Sequence, residues 1–368
     1  MSRNRLLHAG EALWPWVGLL ALCLALPDTA SALVYKTPRG TLKDNCVIWR
    51  EGTFHLLTMY REQIPGGEEH WNDMWLATSS DGVHWKDVGP VIHDAPFILY
   101  AMRVWKAGDR FILNHGSFTG ANQDVLRFWA SKDLVHWEYL GPEYEVRRPD
   151  GGRLDHMDVI AIEKDGKTQW HGYACGGRLR SEDGVKWKWV EDYRVADRNW
   201  SVGETGGCER IGDRFYLLGG NWSGMAGSRG LPGDANYAVL TFVADAPDGP
   251  FRPDYPALRL HGNSGSRAIA VWAGFCRLPD QTLLTNYMTD PHGNGMPWWH
   301  APLKKATVDQ DGHLRMGYWT GNEALKGSPV PFPLSGCKQV FPPPEGEGAK
   351  APSVLAVGDD AIRVSRPA

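Results

Sequence analysis

The sequence predicts an all-β fold, a five-bladed β-propeller, and three observations carry that prediction. A turn phrase recurs: Ser79-Ser80-Asp81-Gly82-Val83-His84-Trp85 returns as Ser131-Lys132-Asp133-Leu134-Val135-His136-Trp137 and again as Ser181-Glu182-Asp183-Gly184-Val185-Lys186-Trp187, at steps of 52 and 50 residues. Each phrase follows an apolar strand that reaches a glycine turn and re-emerges as an aromatic strand. The 43 Gly and 25 Pro supply the turn punctuation of many short strands rather than of helices. Asp and Gly give the turn its geometry and Trp covers the sheet behind it. A four-stranded unit at this period cannot bury both faces alone, so the units stack radially as blades.

In chain order, Arg3 and Arg5 precede an apolar run over residues 17–26 and the small-residue site Ala30-Ser31-Ala32. This is the pattern of a secretory signal peptide over residues 1–32, with a mature chain starting near Leu33, secreted or periplasmic. The propeller is expected over residues 33–325. Its first hairpins run from Val47-Ile48-Trp49 through Gly52 to Phe54, from Val104-Trp105 through Gly108 to Phe111, from Val159-Ile160 through Gly166 to Trp170, and from Ile211 through Gly212 to Phe215. A fifth, weaker hairpin runs from Val271 through the turn Pro279-Asp280-Gln281 to Asn286. Residues 326–368 read as a Pro-rich extension ending in a β-hairpin about Gly358-Asp359-Asp360, which either closes the ring against blade one or begins an appendage.

A net charge of −4 provides no basic field for nucleic acid, and no stretch after the leader is long and apolar enough to span a membrane. Eighteen Trp exceed what a core of this size needs, and Trp serves both as blade filler and as a stacking platform for sugar rings. Beyond the leader stand Cys46, Cys175, Cys208, Cys276 and Cys337, an odd number that leaves at least one thiol out of any intrachain pairing. Cys46 and Cys276 lie on the first and last blades, which touch in a closed ring; they are either a disulfide or two buried free thiols.

Aligning the blades on their turn glycines exposes the chemistry. Asp44, Asp158 and Glu204 each lie eight residues before Gly52, Gly166 and Gly212, at the start of an innermost strand, where a propeller's side chains converge on its axis. Tyr100 and Trp272 hold the same register in blades two and five. Converging carboxylates raise one another's pKa, so one stays protonated. A neutral carboxylic acid facing a carboxylate is the requirement of glycoside hydrolysis. Acids at strand starts also cap turns or hold a structural cation, a reading that three acids at one offset make weaker.

On these motifs, over roughly residues 40–320, the chain resembles the five-bladed propeller glycoside hydrolases of family 43 (arabinanase, arabinofuranosidase, xylosidase) and family 32 (invertase, fructanase). The segment Asp44-Asn45-Cys46-Val47-Ile48-Trp49 is similar to their first-blade Asp segment, Asp158-Val159-Ile160 to their middle Asp, and Glu204-Thr205-Gly206-Gly207-Cys208 to the segment of their catalytic Glu. The resemblance implies Asp44 as general base or nucleophile, Glu204 as general acid, and Asp158 as the carboxylate that orients the acid. Asp155 and Glu209 compete for the last two roles, and Asp158 and Glu204 are preferred because only they keep the eight-residue offset.

Further expectations concern the rim. Arg103 and Tyr100 are candidates for substrate contact, and Trp200, Trp222 and Trp272 for sugar stacking, on segments that flank the strand starts. His156 and His261 either orient a carboxylate or are satisfied histidines. No organic cofactor is required, no catalytic metal is expected, and the resemblance leaves room for a structural calcium in the central channel. The expected partner is an oligo- or polysaccharide. Two alternatives stay open: a propeller phosphorylase, in which Arg103 and Arg267 would converge on phosphate, and a carbohydrate-binding propeller without turnover.

Overall fold

The computed structural model describes residues 34–62, 71–117, 123–193, 202–222, 237–254, 261–262, 270–289, 298–327, 338–341, 353–357 and 362–365. Five antiparallel sheets follow one another in the chain. Blade one comprises Thr41–Arg50, Thr53–Arg61, Asp73–Ser79 and Lys86–Ile92. Blade two comprises Tyr100–Ala107, Arg110–Gly116, Val125–Ser131 and Glu138–Tyr139; blade three comprises Met157–Lys164, Lys167–Ala174, Gly177–Ser181 and Trp187–Asp192. Blade four comprises Glu204–Ile211, Arg214–Trp222, Tyr237–Ala244 and Arg252–Pro253; blade five comprises Ala270–Arg277, Leu283–Thr289, Lys304–Val308 and Leu314–Gly317.

The first strands of blades one to five touch in that cyclic order, and the first strand of blade five also meets that of blade one. These five strands therefore form the inner ring. Its seam is held ahead of and at the start of the first strand: Tyr35 and His300 exchange backbone bonds of 3.0 and 2.9 Å, and Leu42 bridges Trp298. Lys338–Phe341, Ser353–Val357 and Ile362–Ser365 form a separate three-stranded sheet. The ring is thus joined at its seam by residues on the amino-terminal side of blade one.

The recurring phrases are the turns between the third and fourth strands. In each, the Asp accepts two backbone N–H bonds, from Val83 and His84 at 2.9 and 2.8 Å, from Val135 and His136 at the same distances, and from Val185 and Lys186 at 2.8 Å each. One aspartate side chain thus does the work of a backbone turn, as Asx turns do. The inner hairpins of blades one and three close through Glu51-Gly52 and Asp165-Gly166, both residues of each pair with positive φ, the two-residue turn that follows strand twist.

The core lies in layers between neighbouring blades. Leu57, Met59 and Leu76 of blade one pack on Leu113 and Trp129 of blade two, and Phe128 and Ile112 on Leu179 and Trp187 of blade three. Tyr173 of blade three meets Leu217 and Phe242 of blade four, while Leu56, Leu218 and Leu284 share the layer that unites blades four, five and one. At about 1.5–3 kcal/mol per large side chain removed from water, these layers hold the inner strands rigid. Cys46 and Cys276 face that ring as buried free thiols rather than a disulfide; Cys175 and Cys208 are also free.

Candidate active site

Four of the five inner strands carry a one-residue bulge near their starts: between Lys43 and Cys46, Tyr100 and Arg103, Thr205 and Gly207, and Val271 and Gly274. A bulge bends its strand and re-aims the side chains beside it. Asp44, Ala101 and Trp272 sit in these bulges at φ of 54, 44 and 65°. Aspartate tolerates the left-handed region through its short polar side chain; for Trp272 the same conformation costs on the order of 1–3 kcal/mol. The inner strand of blade three, Met157–Lys164, pairs with Lys167–Ala174 without interruption.

The bulge at Asp44 breaks side-chain alternation, so Lys43 and Asp44 both serve the same cluster. The Lys43 ammonium donates to the Tyr100 hydroxyl and stands 4.5 Å from that ring. Arg153 grips Asp155, its Nη2 2.7 Å from Oδ2, and extends the same nitrogen to Glu204 Oε1 at 3.4 Å. Asp44, Asp155 and Glu204, with Lys43, Arg153 and Tyr100, thus form one network at the starting end of the ring, Asp44 and Asp155 buried and the other four half-buried.

The charge balance of this network decides its chemistry. Burial raises the Glu204 carboxyl most, the Asp155 and Asp44 carboxylates raise it further, and Arg153 and Lys43 only partly oppose them, leaving it at about 7. Glu204 is therefore about half protonated at pH 7, where an ordinary glutamate is ionised. Asp44 and Asp155 are also raised by burial, but Asp44 is opposed foremost by Lys43 and Asp155 by Arg153. Lys43 itself loses stability as a cation through burial, yet Asp44, Tyr100 and Glu204 lift its pKa overall. Burial and Asp44 also push the Tyr100 hydroxyl up to about 12.

Tyr237 completes one wall beside Glu204. Its hydroxyl lies over Gly220, the residue paired with Glu204 across the first hairpin of blade four, in space that any side chain at Gly220 would fill. Lys43, Arg153 and Tyr237 did not emerge from the sequence reading. The Arg-x-Asp spacing of Arg153 and Asp155 was the available signal for the second of them.

Asp158 lies elsewhere. Its Oδ2 accepts the Cys208 N–H at 2.7 Å and its Oδ1 faces Arg103 Nε at 3.5 Å; burial raises it to about 6 against the opposing pull of Arg103. Asp158 also lines a cavity of about 630 Å³ with Val47, Trp49, Val104 and the Glu209–Arg277 ion pair of 2.6 Å, at the glycine-turn end of the ring. The structure thus brings Asp44 and Glu204 together with Asp155, three residues before Asp158, and sets Asp158 and Glu209 on the other side of Arg103.

Arg103 is buried, 4% exposed, and is directed at the protein rather than at a substrate. Its guanidinium donates to the carbonyl oxygens of Asn45 at 3.0 Å, Met102 at 3.4 Å and Ala273 at 3.5 Å, and to that of Gly206. Trp272 is 3% exposed, its ring 4.8 Å from the Arg103 guanidinium and 4.5 Å from the ring of the fully buried His156. Burial and then Arg103 hold His156 neutral. Neither Trp272 nor Arg103 therefore offers the open surface expected for a sugar. Of the expected contact residues whose side chains are described, Tyr100 stands in the acid network. Trp200 and Arg267 lie outside the described residues, as do the side chains of Trp222 and His261.

A calcium ion on the axis does not fit this donor set. The carbonyls of Asn45, Gly206 and Ala273 and the Asp158 carboxylate converge on a guanidinium that already carries the positive charge there.

No protein-family model matches the sequence, and no curated protein matches it. Solved structures do match, at full probability. The Bacteroides ovatus xyloglucan PUL GH43B is 18% identical, with a TM-score of 0.53 over 77% of this chain and 56% of that one. An exo-1,5-α-L-arabinanase from a bovine ruminal metagenomic library is 13% identical, TM-score 0.54, over 77% and 99%. A Bombyx mori GH32 β-fructofuranosidase mutant in complex with sucrose is 13% identical, TM-score 0.60, over 80% and 66%. The chain shares the five-bladed propeller fold of family 43 and family 32 structures. It spans just over half of the Bacteroides protein and nearly the whole of the arabinanase. At these identities the likeness establishes the fold.

Proposed function

We propose that the chain is an exported glycoside hydrolase of the family 43 and family 32 type, acting on an oligo- or polysaccharide. Glu204 is the general acid, Asp44 the general base or nucleophile, and Asp155, held by Arg153, orients Glu204 and keeps its proton. The observation that carries this reading is the meeting of two carboxyls in one network: burial, Asp155 and Asp44 lift Glu204 to about 7, and Asp44 is itself raised by burial against the opposing pull of Lys43. A carboxyl that carries a proton in part at neutral pH beside a second carboxyl is what acid and base roles at a glycosidic bond call on. The shared fold with an arabinanase, a β-fructofuranosidase and other glycoside hydrolases supports the same class. Export rests on the leader pattern of residues 1–32.

In this mechanism Glu204 protonates the leaving oxygen as the glycosidic bond breaks, and Asp44 either attacks the anomeric carbon or removes a proton from the attacking water. Among the described residues, hydrolysis is favoured over phosphorolysis because both cations of the network, Lys43 and Arg153, are engaged by its acids and by Tyr100. The test is a panel of chromogenic arabinosides, xylosides, fructosides and galactosides, with and without phosphate, run beside Asp44→Asn and Glu204→Gln. Turnover independent of phosphate and lost in both folded variants is the expected result. Glycan binding with no turnover by the wild-type protein would replace the hydrolase reading with that of a binding propeller.

A further inference from the structure

Arg103 touches every blade. Its guanidinium reaches the bulge carbonyl of Asn45 in blade one, its own neighbour Met102 in blade two, the Asp158 carboxylate in blade three, Gly206 in blade four and Ala273 in blade five. Gly274 makes room for it, since a Cβ there would come within 2.5 Å of Nη2. Asn286 donates its amide to the same Asn45 carbonyl at 2.9 Å, so this oxygen is held from two sides. Four of the five contributions come from the bulges; blade three, whose strand has no bulge, supplies a carboxylate instead.

We propose that Arg103 is the axial cation of this ring: a positioning residue whose guanidinium does in-chain what a bound metal ion would do between converging oxygens. Five planar N–H donors suit several carbonyls and a carboxylate at once, a geometry that a lysine ammonium cannot reproduce. The backbone it fixes adjoins the proposed chemistry directly. Asn45 follows Asp44, and Gly206 lies two residues beyond Glu204, so Arg103 sets where both carboxyls stand. It touches neither, and acts only through the bulges that present them. The pin itself stands on geometry alone, whereas its effect on turnover rests on the hydrolase reading.

Two arms of one experiment test the pin with the full chain. In the first, Tm is measured with EDTA, with added calcium chloride and with guanidinium ion at sub-denaturing concentration. Wild-type Tm is expected to be the same in EDTA and in calcium. Arg103→Ala is expected to melt lower than wild type, and to regain Tm when guanidinium refills the vacated position. In the second arm, Arg103→Lys keeps the charge but not the fork, and its kcat is expected to fall by about 10²-fold, the cost of misplacing reacting groups by an ångström, with KM within a few-fold of wild type. Should Arg103→Ala fail to fold, Arg103→Lys carries both arms. A wild-type Tm that drops in EDTA and returns with calcium would overturn the proposal, as would an Arg103→Lys protein with wild-type Tm and kcat. If the wild type cleaves no glycoside, the hydrolase reading falls and the Tm arm still decides the pin.

Discussion

The two ends of the central ring hold the same kinds of side chain in different arrangements. At the starting end, Asp44, Asp155 and Glu204 share Lys43 and Arg153 among the described residues, and Glu204, lifted to about 7, is half protonated at neutral pH. Toward the turn end, partners are matched one to one: Asp158 has Arg103 and the Cys208 amide, and Glu209 has Arg277 at 2.6 Å. Burial raises the acids at both ends, so desolvation alone does not distinguish them. Under the proposed function the shared cluster carries the chemistry and the paired one supports the ring.

Substitutions at matched positions test this contrast most severely. Glu204→Gln is expected to lower kcat by about 10²–10⁴-fold, the range for loss of a general acid, whereas Glu209→Gln, at the other end of the same strand, should leave kcat near wild type. A comparable loss in Glu209→Gln would erase the distinction. Next in size, Asp158→Asn leaves the buried Arg103 without its carboxylate and should cost about 3–5 kcal/mol of stability in urea unfolding.

Linkage gives a third contrast. The folded-state pKa of Glu204, about 7, lies above its ordinary 4.5, so the folded chain binds this proton more tightly than the unfolded chain. The resulting stabilisation is complete below 4.5 and is lost as pH rises through about 7. Gln cannot titrate; the stability of Glu204→Gln relative to wild type should therefore rise by about 3 kcal/mol across that window. The smallest expected effect is a shift in the pH–rate profile. Asp155→Asn removes a charge that raises Glu204, so the basic limb of kcat/KM should move to lower pH, and a shift upward would contradict the assigned role.

The blades were legible in the sequence because their signals are local. The Ser-x-Asp turns satisfy their own backbone within four residues, and the glycine hairpins need only two residues of defined φ. Asp44 and Glu204 were legible for the same reason, through a count along one strand. The third acid was not, because an equal offset does not mean an equal aim. The turn glycine follows Asp165 in blade three but precedes Asp213 in blade four, and the blade-four strand is bulged while the blade-three strand is not. Asp155 enters the network from ahead of its strand, where no register applies. Arg103 illustrates the other limit: a side chain that gathers oxygens from residues as much as 170 apart in sequence leaves no local pattern.

Carbon-13 NMR of the glutamate side-chain carboxyls, compared between wild type and Glu204→Gln, reports the decisive quantity without any substrate. One resonance, absent from the variant, is expected to titrate with a midpoint of about 7. A Glu204 resonance titrating near the ordinary 4.5 would mean that the acid cluster does not retain its proton, and would remove the ground for a general acid at this site.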